Sequence, residues 1–122
     1  MSLKGKTVLI TGGGTGIGEG CALALARAGC RVAICGRREE PLKAVAAKFD
    51  GDPGIIYRTC DVADRADSFA TVDWATEQFG HVDMLLNAAG TNVPKRTMED
   101  TSPEDWDDVI QINVTGTFNT MY

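Results

Sequence analysis

A dense run of glycines near the start of the chain is the first feature that could perform chemistry. Six glycines fall within nine positions, from Gly12 to Gly20, and only Thr11 separates them from the apolar and β-branched residues 7–10. Beyond the glycines, Ile17, Cys21 and Leu25 recur at the spacing of one helical face. The pattern predicts a buried strand, a tight turn and then a helix.

This predicted turn suits a phosphate ligand. Glycines allow positive φ and let a ligand lie against bare main chain, and the first helical turn offers unpaired N–H groups at the positive end of the helix dipole. The alternative is a glycine-rich strand-to-helix turn without a ligand. The residues predicted to cradle a diphosphate are Gly12, Gly14, Thr15, Gly16, Ile17 and Gly18.

A second group of candidate residues follows the second apolar segment, residues 31–35. An NAD site usually carries Asp or Glu about 20 residues after the glycine turn, where it binds the ribose 2′-hydroxyl. Gly36 lies at that position, and Arg37 and Arg38 follow it in a chain of net charge −5. The pattern favours NADP over NAD. The alternative is a pair of solvated arginines, with Glu39 and Glu40 close by.

Polar or small residues also end the third and fourth apolar segments. Asp61 and Val62 follow residues 55–60, and the Asp61 carboxylate could either meet a ligand or cap the turn before the next helix. After residues 82–86 comes the run Asn87, Ala88, Ala89 and Gly90, in which small side chains would let a ligand pass close to the backbone. A structural role within the sheet is the alternative for this run.

Asn113 interrupts an apolar stripe on the last predicted helix, which Trp106, Ile110 and Thr117 also share. An amide in such a stripe is unfavourable unless it is paired. One interpretation is a buried Asn bonded to a neighbouring carbonyl.

The elements that would position these residues alternate between strand and helix. We predict strands at 7–10, 31–35, 55–60 and 82–86. The first helix should end before Gly29, the second should cover 39–49, and the third should run from Asp64 to about Phe79. A fourth helix should begin at a Ser102 cap, with Pro103 as its first residue. The third helix carries Phe69, Val72, Thr76 and Phe79 along one side. Such alternation implies right-handed crossovers and a parallel α/β sheet, doubly wound as in the Rossmann fold, in the order 3-2-1-4. Ligand would then bind beyond the carboxyl ends of the strands.

Length and composition narrow the class of protein. The chain has 122 residues, enough for one domain, and contains no apolar stretch of the ~20 residues that a membrane helix needs. Its four cysteines form no C-x-x-C pair and lie in apolar runs, which predicts buried thiols in a reducing compartment, the cytoplasm. A single histidine argues against a His-rich metal site, and the acidic balance argues against nucleic acid and anionic membranes.

Four motifs resemble those of the short-chain dehydrogenase/reductase family, one of them being Asp61, which resembles the acidic residue after the family's third strand. Strict G-x-G-x-x-G fails at Ile17, but Thr11, Gly12, Gly16 and Gly18 fit T-G-x-x-x-G-x-G. Residues 87–90 resemble N-N-A-G with Ala88 replacing the second Asn, and residues 113–116 resemble N-V-x-G. The resemblance covers residues 4–122.

The resemblance implies an oxidoreductase that transfers hydride between a nicotinamide coenzyme and a carbonyl or secondary alcohol, and Arg37 and Arg38 favour NADP(H) as that coenzyme. It implies that Asp61 and its neighbour meet the adenine ring, and that Asn113 anchors a water in a catalytic tetrad. It also implies a homodimer or homotetramer. Alternatives are a non-catalytic dinucleotide-binding sensor and a sugar-nucleotide epimerase of the family's extended branch.

The family's catalytic Ser and Tyr-x-x-x-Lys have no match in this sequence. Tyr57 has Asp61 four residues on, and Tyr122 comes too early. We therefore expect residues 1–122 to be the cofactor-binding, N-terminal part of a longer single-domain enzyme. This part would contain its doubly wound fold up to the helix that follows strand four. Residues 91–101 should border the site, but the substrate is not specified by these residues.

Overall fold

The computed structural model describes residues 2–91 and 97–122. Its strands are β1 (Thr7–Thr11), β2 (Arg31–Gly36), β3 (Ile56–Thr59) and β4 (Met84–Asn87). The helices between them are α1 (Gly16–Arg27), α2 (Glu39–Ala47) and α3 (Arg65–Phe79). The last helix comprises α4 (Pro103–Ile110), a π-helical turn (Gln111–Thr115) and α5 (Gly116–Met121).

The four strands form one parallel sheet in the order β3-β2-β1-β4, as predicted. Thr11 pairs with Cys35 on one side and Asn87 on the other, so the carboxyl ends of three strands lie level. Every residue of β1 is buried. This central position follows from a strand that is apolar or β-branched throughout, because both of its faces are covered.

Helices cover both faces of the sheet, which confirms the doubly wound fold. On one face α1 and α2 pack against Val8, Ile10 and Val32 through small or branched side chains. On the other face, Leu9 and Ala33 belong to a core that includes Ala75 of α3. The two cores follow from the alternation of side chains along each strand.

The predicted caps are present. Asp64 accepts a hydrogen bond from the Asp67 N–H at 3.2 Å, and Gly80 ends α3 with φ of 86°. Ser102 accepts from the Asp105 N–H at 3.0 Å, and Pro103 is the first residue of α4. Side-chain capping therefore fixes where these helices begin.

Several strand ends differ from the prediction by one residue, and two element boundaries differ by two residues. Helix α2 ends at Ala47 rather than Phe49, because Lys48 and Phe49 donate to carbonyls only three residues back, in a tighter final turn. Strand β4 begins at Met84 rather than residue 82, because the Thr7 N–H bonds the Asp83 carboxylate at 2.9 Å instead of a strand carbonyl.

The side chains that α3 buries also differ from the predicted stripe. Ser68, Thr71 and Ala75 are buried, whereas Phe69 is 37% exposed. These small polar side chains can face the core because their hydroxyls are bonded; Ser68 Oγ donates to the Val62 carbonyl at 3.2 Å. The other members of the predicted stripe are half-buried or exposed: Val72, Thr76 and Phe79.

Three of the four thiols are buried as predicted, namely Cys30, Cys35 and Cys60, while Cys21 is half-buried. No helix within residues 2–91 and 97–122 is long and apolar enough to cross a membrane.

The start of β1 yields a prediction about acid stability. Asp83 Oδ2 accepts bonds from the Thr7 N–H at 2.9 Å and the Thr7 hydroxyl at 3.2 Å, and lies 3.2 Å from His81 Nε2. The backbone bond, assisted by His81 and Lys6, lowers the pKa of Asp83. The stabilisation is therefore complete above the carboxyl's unfolded pKa of about 3.9 and is lost as pH falls through the folded pKa.

We expect Asp83→Asn to lower the urea midpoint at about pH 7, and this difference from wild type to shrink as pH falls below about 4. Asp73→Asn, at an exposed position of α3, is the matched control and should change little. A loss of equal size across the whole pH range would show that the charge of Asp83 contributes nothing.

Candidate functional site

A cleft of ≈ 330 Å³ opens beyond the carboxyl ends of the strands. It is lined by every residue predicted to contact cofactor except Gly18 and Asn87, namely Gly12, Gly14, Thr15, Gly16, Ile17, Gly36, Arg37, Arg38, Asp61, Val62, Ala88, Ala89 and Gly90. The lining also includes residues that the sequence analysis did not single out, namely Pro41, Leu42, Cys60 and Ile112. Four separate loops therefore converge on one cavity.

The glycines of the first turn have two different roles. Gly12 has φ of 65°, and a Cβ there would fall 2.7 Å from the Ala89 backbone nitrogen. A Cβ at Gly18 would fall 2.0 Å from the Gly12 carbonyl oxygen. These two glycines allow the turn to pack against β4 and against α1. Gly16, with φ of 55°, has no atom within 4 Å of its Cβ position, so its bare backbone faces the cleft.

The first turn of α1 is open to an anion. Its N-cap residue, Thr15, makes no side-chain capping bond, so the N–H groups that a cap would take remain available. The acidic side chain in this turn, Glu19, is neutralised by Lys48, whose Nζ lies 2.5 Å from the Glu19 carboxylate. Negative charge near the helix N-terminus is therefore reduced, which favours a phosphate.

Thr11 holds the opposite wall of the cleft. It is 1% exposed; its carbonyl accepts from the Ala88 N–H at 3.2 Å, and its hydroxyl oxygen accepts from the Ala89 N–H at 3.1 Å. Asn87 points elsewhere, since its Oδ1 accepts from the Thr120 hydroxyl at 2.6 Å. The structure thus places Asn87 in the joint between β4 and α5. The sequence contained a signal for Thr11, because it is the first residue of the glycine motif.

Two guanidinium groups and one carboxylate line the far end of the cleft. Within the described part of the chain, Arg37 and Arg38 form no ion pair. Neither Glu39 nor Glu40 lines the cavity. Asp61 makes the turn-capping bond that the sequence allowed, because its Oδ1 accepts from the Ala63 N–H at 3.0 Å, and it also lines the cleft. The charge here suits an anionic ligand.

Asn113 is exposed and bonds to main chain rather than lying buried in an apolar stripe. Its Oδ1 accepts from the Thr91 N–H at 2.8 Å, and its Nδ2 donates to the Thr91 carbonyl at 2.9 Å. A Cβ at Gly90 would fall 3.3 Å from the Asn113 Oδ1. Asn113 therefore fixes the end of the loop that carries Gly90, while residues 92–96 of the predicted bordering loop lie outside the described residues.

The buried amide of this helix is Asn119, which is 1% exposed. Its Nδ2 donates to the Val62 carbonyl at 2.9 Å, and its Oδ1 accepts from Arg65 Nε at 3.0 Å. The expected stripe is not buried, since Trp106 is 59% exposed. In the π-helical turn the Gly116 N–H bonds the Gln111 carbonyl, five residues back, which rotates the face that follows relative to a regular α-helix.

A second cavity of ≈ 360 Å³ adjoins the cleft on the α4 side. It shares Arg37, Asp61 and Ile112 with the cleft and adds Thr91 and Asp108. Because they share these residues, the two cavities lie side by side beyond the carboxyl ends of the strands.

Comparison with known proteins identifies the family. The model for short chain dehydrogenases matches residues 6–122. The chain is 41% identical over 117 residues to D-threitol dehydrogenase of Mycolicibacterium smegmatis, covering 95% of this chain and 45% of that protein. It is 34% identical over 114 residues to L-fucose dehydrogenase of Bos taurus, covering 93% and 41%. The chain spans about half the length of the curated relatives it matches.

Solved structures agree. A short-chain type dehydrogenase/reductase from Mycobacterium ulcerans matches with a TM-score of 0.92 and 29% identity, over 99% of this chain and 46% of that one. The 3-ketoacyl-(acyl-carrier-protein) reductase from Brucella melitensis, complexed with NADH, matches with a TM-score of 0.89 and 36% identity, over 98% and 48%. The chain therefore belongs to the short-chain dehydrogenase/reductase family of oxidoreductases.

Proposed function

We propose that this chain is the dinucleotide-binding part of an NADP(H)-dependent oxidoreductase that acts on a carbonyl or secondary alcohol. The observation that supports it best is one cleft that joins the bare backbone at Gly16 to the two arginines after β2, Arg37 and Arg38. When bound, the dinucleotide would donate or accept hydride at its nicotinamide ring.

The glycine turn would hold the diphosphate. The N–H groups at the start of α1 lack a side-chain cap, and the Glu19 charge is compensated by Lys48. Diphosphate oxygens would then accept from backbone N–H groups at the positive end of the helix. Gly16 leaves room for that approach, since no atom lies within 4 Å of its Cβ position.

The arginines after β2 would select the phosphorylated coenzyme. A 2′-phosphate adds charge that a carboxylate at position 36 would repel, and Gly36 has none. Arg37 and Arg38 line the cleft without competing ion pairs among the described residues. Asp61 and Val62, on the neighbouring wall, would meet the adenosine.

The segment after β4 would lie along the nicotinamide half. Ala88, Ala89 and Gly90 present small side chains to the cleft, and Thr11 and Asn113 fix this segment from either end. Asn113 would act as a positioning residue through Thr91. In the longer protein, a Ser and a Tyr-x-x-x-Lys pair would supply the proton transfer at the substrate oxygen.

The activity test uses the full-length protein. It should oxidise NADPH in the presence of carbonyl compounds from a panel of sugars, ketones and 3-ketoacyl thioesters. Tight dinucleotide binding without turnover of any of them would instead favour a non-catalytic sensor. We also propose a cytoplasmic homodimer or homotetramer, which size-exclusion chromatography with light scattering would test.

Arg37→Ala should weaken NADP binding by about 1.5–3 kcal/mol, which is about 10- to 150-fold, because it removes charge-assisted hydrogen bonds. NAD affinity should change little, since NAD has no 2′-phosphate. Isothermal titration of both coenzymes measures the difference. Arg27→Ala, at the other end of α1, is the control of equal charge change. Equal affinity of the wild type for NAD and NADP would contradict the assignment.

Gly36→Asp should reverse the coenzyme preference. A Cβ at Gly36 would make ordinary contacts with the Leu42 side chain, at 3.4 Å or more, so the fold should tolerate the new carboxylate. That carboxylate repels a 2′-phosphate and can accept a bond from a 2′-hydroxyl. We expect the ratio of NADP to NAD affinity to fall by about 10-fold or more. Gly36→Ala, which adds bulk without charge, should leave the ratio nearly unchanged.

Asn113→Ala should lower kcat of the full-length enzyme by about 10-fold or more, because it removes both hydrogen bonds to the Thr91 main chain and misplaces the reacting groups. Coenzyme Kd should stay within about twofold, since the diphosphate and arginine contacts remain. Val114→Ala, at a 58% exposed neighbouring position, is the control. A loss of coenzyme affinity as large as the loss of kcat would reject a positioning role.

A further inference from the structure

Two buried thiols lie together beneath the adenosine end of the cleft. Cys35 is the penultimate residue of β2, and Cys60 directly follows β3. The register pairs Cys35 with Arg58, so residue 60, two positions further on, projects from the same face of the sheet. The Cys60 N–H donates to the Gly36 carbonyl at 2.8 Å, which locks the two strand ends together.

Both side chains belong to one core cluster, on the α3 side of the sheet. The other two cysteines are elsewhere: Cys21 and Cys30 belong to the core on the opposite face, and the Cys30 thiol donates to the Leu3 carbonyl at 3.4 Å. The topology therefore gives Cys60 a single thiol neighbour, Cys35.

The two thiols differ in access. Cys35 is completely buried, whereas Cys60, although only 2% exposed, lines the cleft. A small reagent that enters the cleft therefore meets Cys60 first, with Cys35 behind it.

The two thiols also differ in acidity. The interaction with Cys35, together with Thr71 and Arg58, lowers the pKa of the Cys60 thiol against the opposing effects of burial and Asp67. The same thiol–thiol interaction and burial raise the pKa of Cys35. Cys60 is thus the first of the pair to become a thiolate, the nucleophilic form of cysteine.

We propose that Cys35 and Cys60 form a redox-sensitive dithiol that peroxides convert to a disulfide. The Cys60 thiolate attacks one peroxide oxygen, the O–O bond breaks, and a sulfenic acid and hydroxide result. The Cys35 thiol then attacks the Cys60 sulfur, the S–O bond breaks and water leaves. In total, two thiols and one hydrogen peroxide give one disulfide and two waters.

The disulfide would alter the coenzyme site. Diagonal neighbours on adjacent strands lie about 7–8 Å apart, beyond the reach of an unstrained disulfide, so closing the bond requires backbone movement at the two strand ends. Both cysteines directly precede cleft residues. Gly36 and Arg37 follow Cys35, and Asp61 follows Cys60. Bound dinucleotide would in turn cover Cys60 and slow its oxidation. This protection rests on the proposed function, whereas the disulfide itself depends only on the two cysteines.

The test is peroxide treatment of the purified protein, with and without saturating NADP, followed by alkylation under denaturing conditions and peptide mass spectrometry. We expect a linked Cys35–Cys60 peptide, two hydrogens lighter than the sum of its parts and reversed by dithiothreitol. We expect its formation to slow about 10-fold or more with NADP. The matched variants are Cys35→Ala and Cys60→Ala, which should abolish the link, and Cys21→Ala and Cys30→Ala, which should retain it.

The outcomes of this experiment distinguish a failure of the dithiol from a failure of the proposed coenzyme site. A Cys60 that is over-oxidised or unreactive in the wild type, or a link through Cys21 or Cys30, overturns the dithiol, and no variant needs to fold for this result. If titration shows NADP binding but the link forms equally fast with NADP, the placement of Cys60 beneath the coenzyme is wrong. If the link forms but NADP does not bind, the proposed function fails while the dithiol stands.

Discussion

The cleft depends on close backbone contact between the end of β1 and the end of β4. Thr11 bonds the main chain of Ala88 and Ala89, and Gly12 then passes so near Ala89 that no Cβ could fit. A side chain at Gly12 would separate the two strand ends and displace the turn that leads into α1. Both the diphosphate wall and the nicotinamide wall of the proposed site therefore originate at one junction in the central strand.

The charge of the side chains around the cleft is opposite in sign to the net charge of the molecule. The chain carries net charge −5, yet its cleft exposes Arg37 and Arg38, and the one acidic residue in the first turn of α1 is paired with Lys48. Because exposed charges are screened within about 10 Å, this local arrangement matters more to an anionic ligand than the net charge does. The net acidity of the chain is thus compatible with the proposed phosphate site.

Local sequence patterns predicted the strands and the helix starts, since each depends on neighbouring residues, whereas the strand order followed from the alternation of strands and helices along the chain. Apolar runs gave the strands, and Asp64 and Ser102 marked caps that the structure contains. The inner face of α3 was predicted only in part: Val72 and Phe79 pack against the core, but burial of Ser68 depends on its bond to Val62, a partner from another element. The sequence patterns predicted the strand ends at which most candidate residues lie, but they could not show that the Asn87 side chain turns toward Thr120.

The last helix shows why the features that sequence patterns did not predict depend on tertiary contacts. A π-helical turn is invisible to a regular 3.6-residue pattern, and here it separates two asparagines with different tasks. Asn113 holds Thr91 beside the proposed nicotinamide wall, and Asn119 holds the Val62 carbonyl at the proposed adenosine wall. Since a Cβ at Gly116 would fall 2.6 Å from Val62 Cγ2, the helix also needs a glycine to approach that closely. One helix therefore braces both ends of the cleft, and a displacement of it would move both walls together.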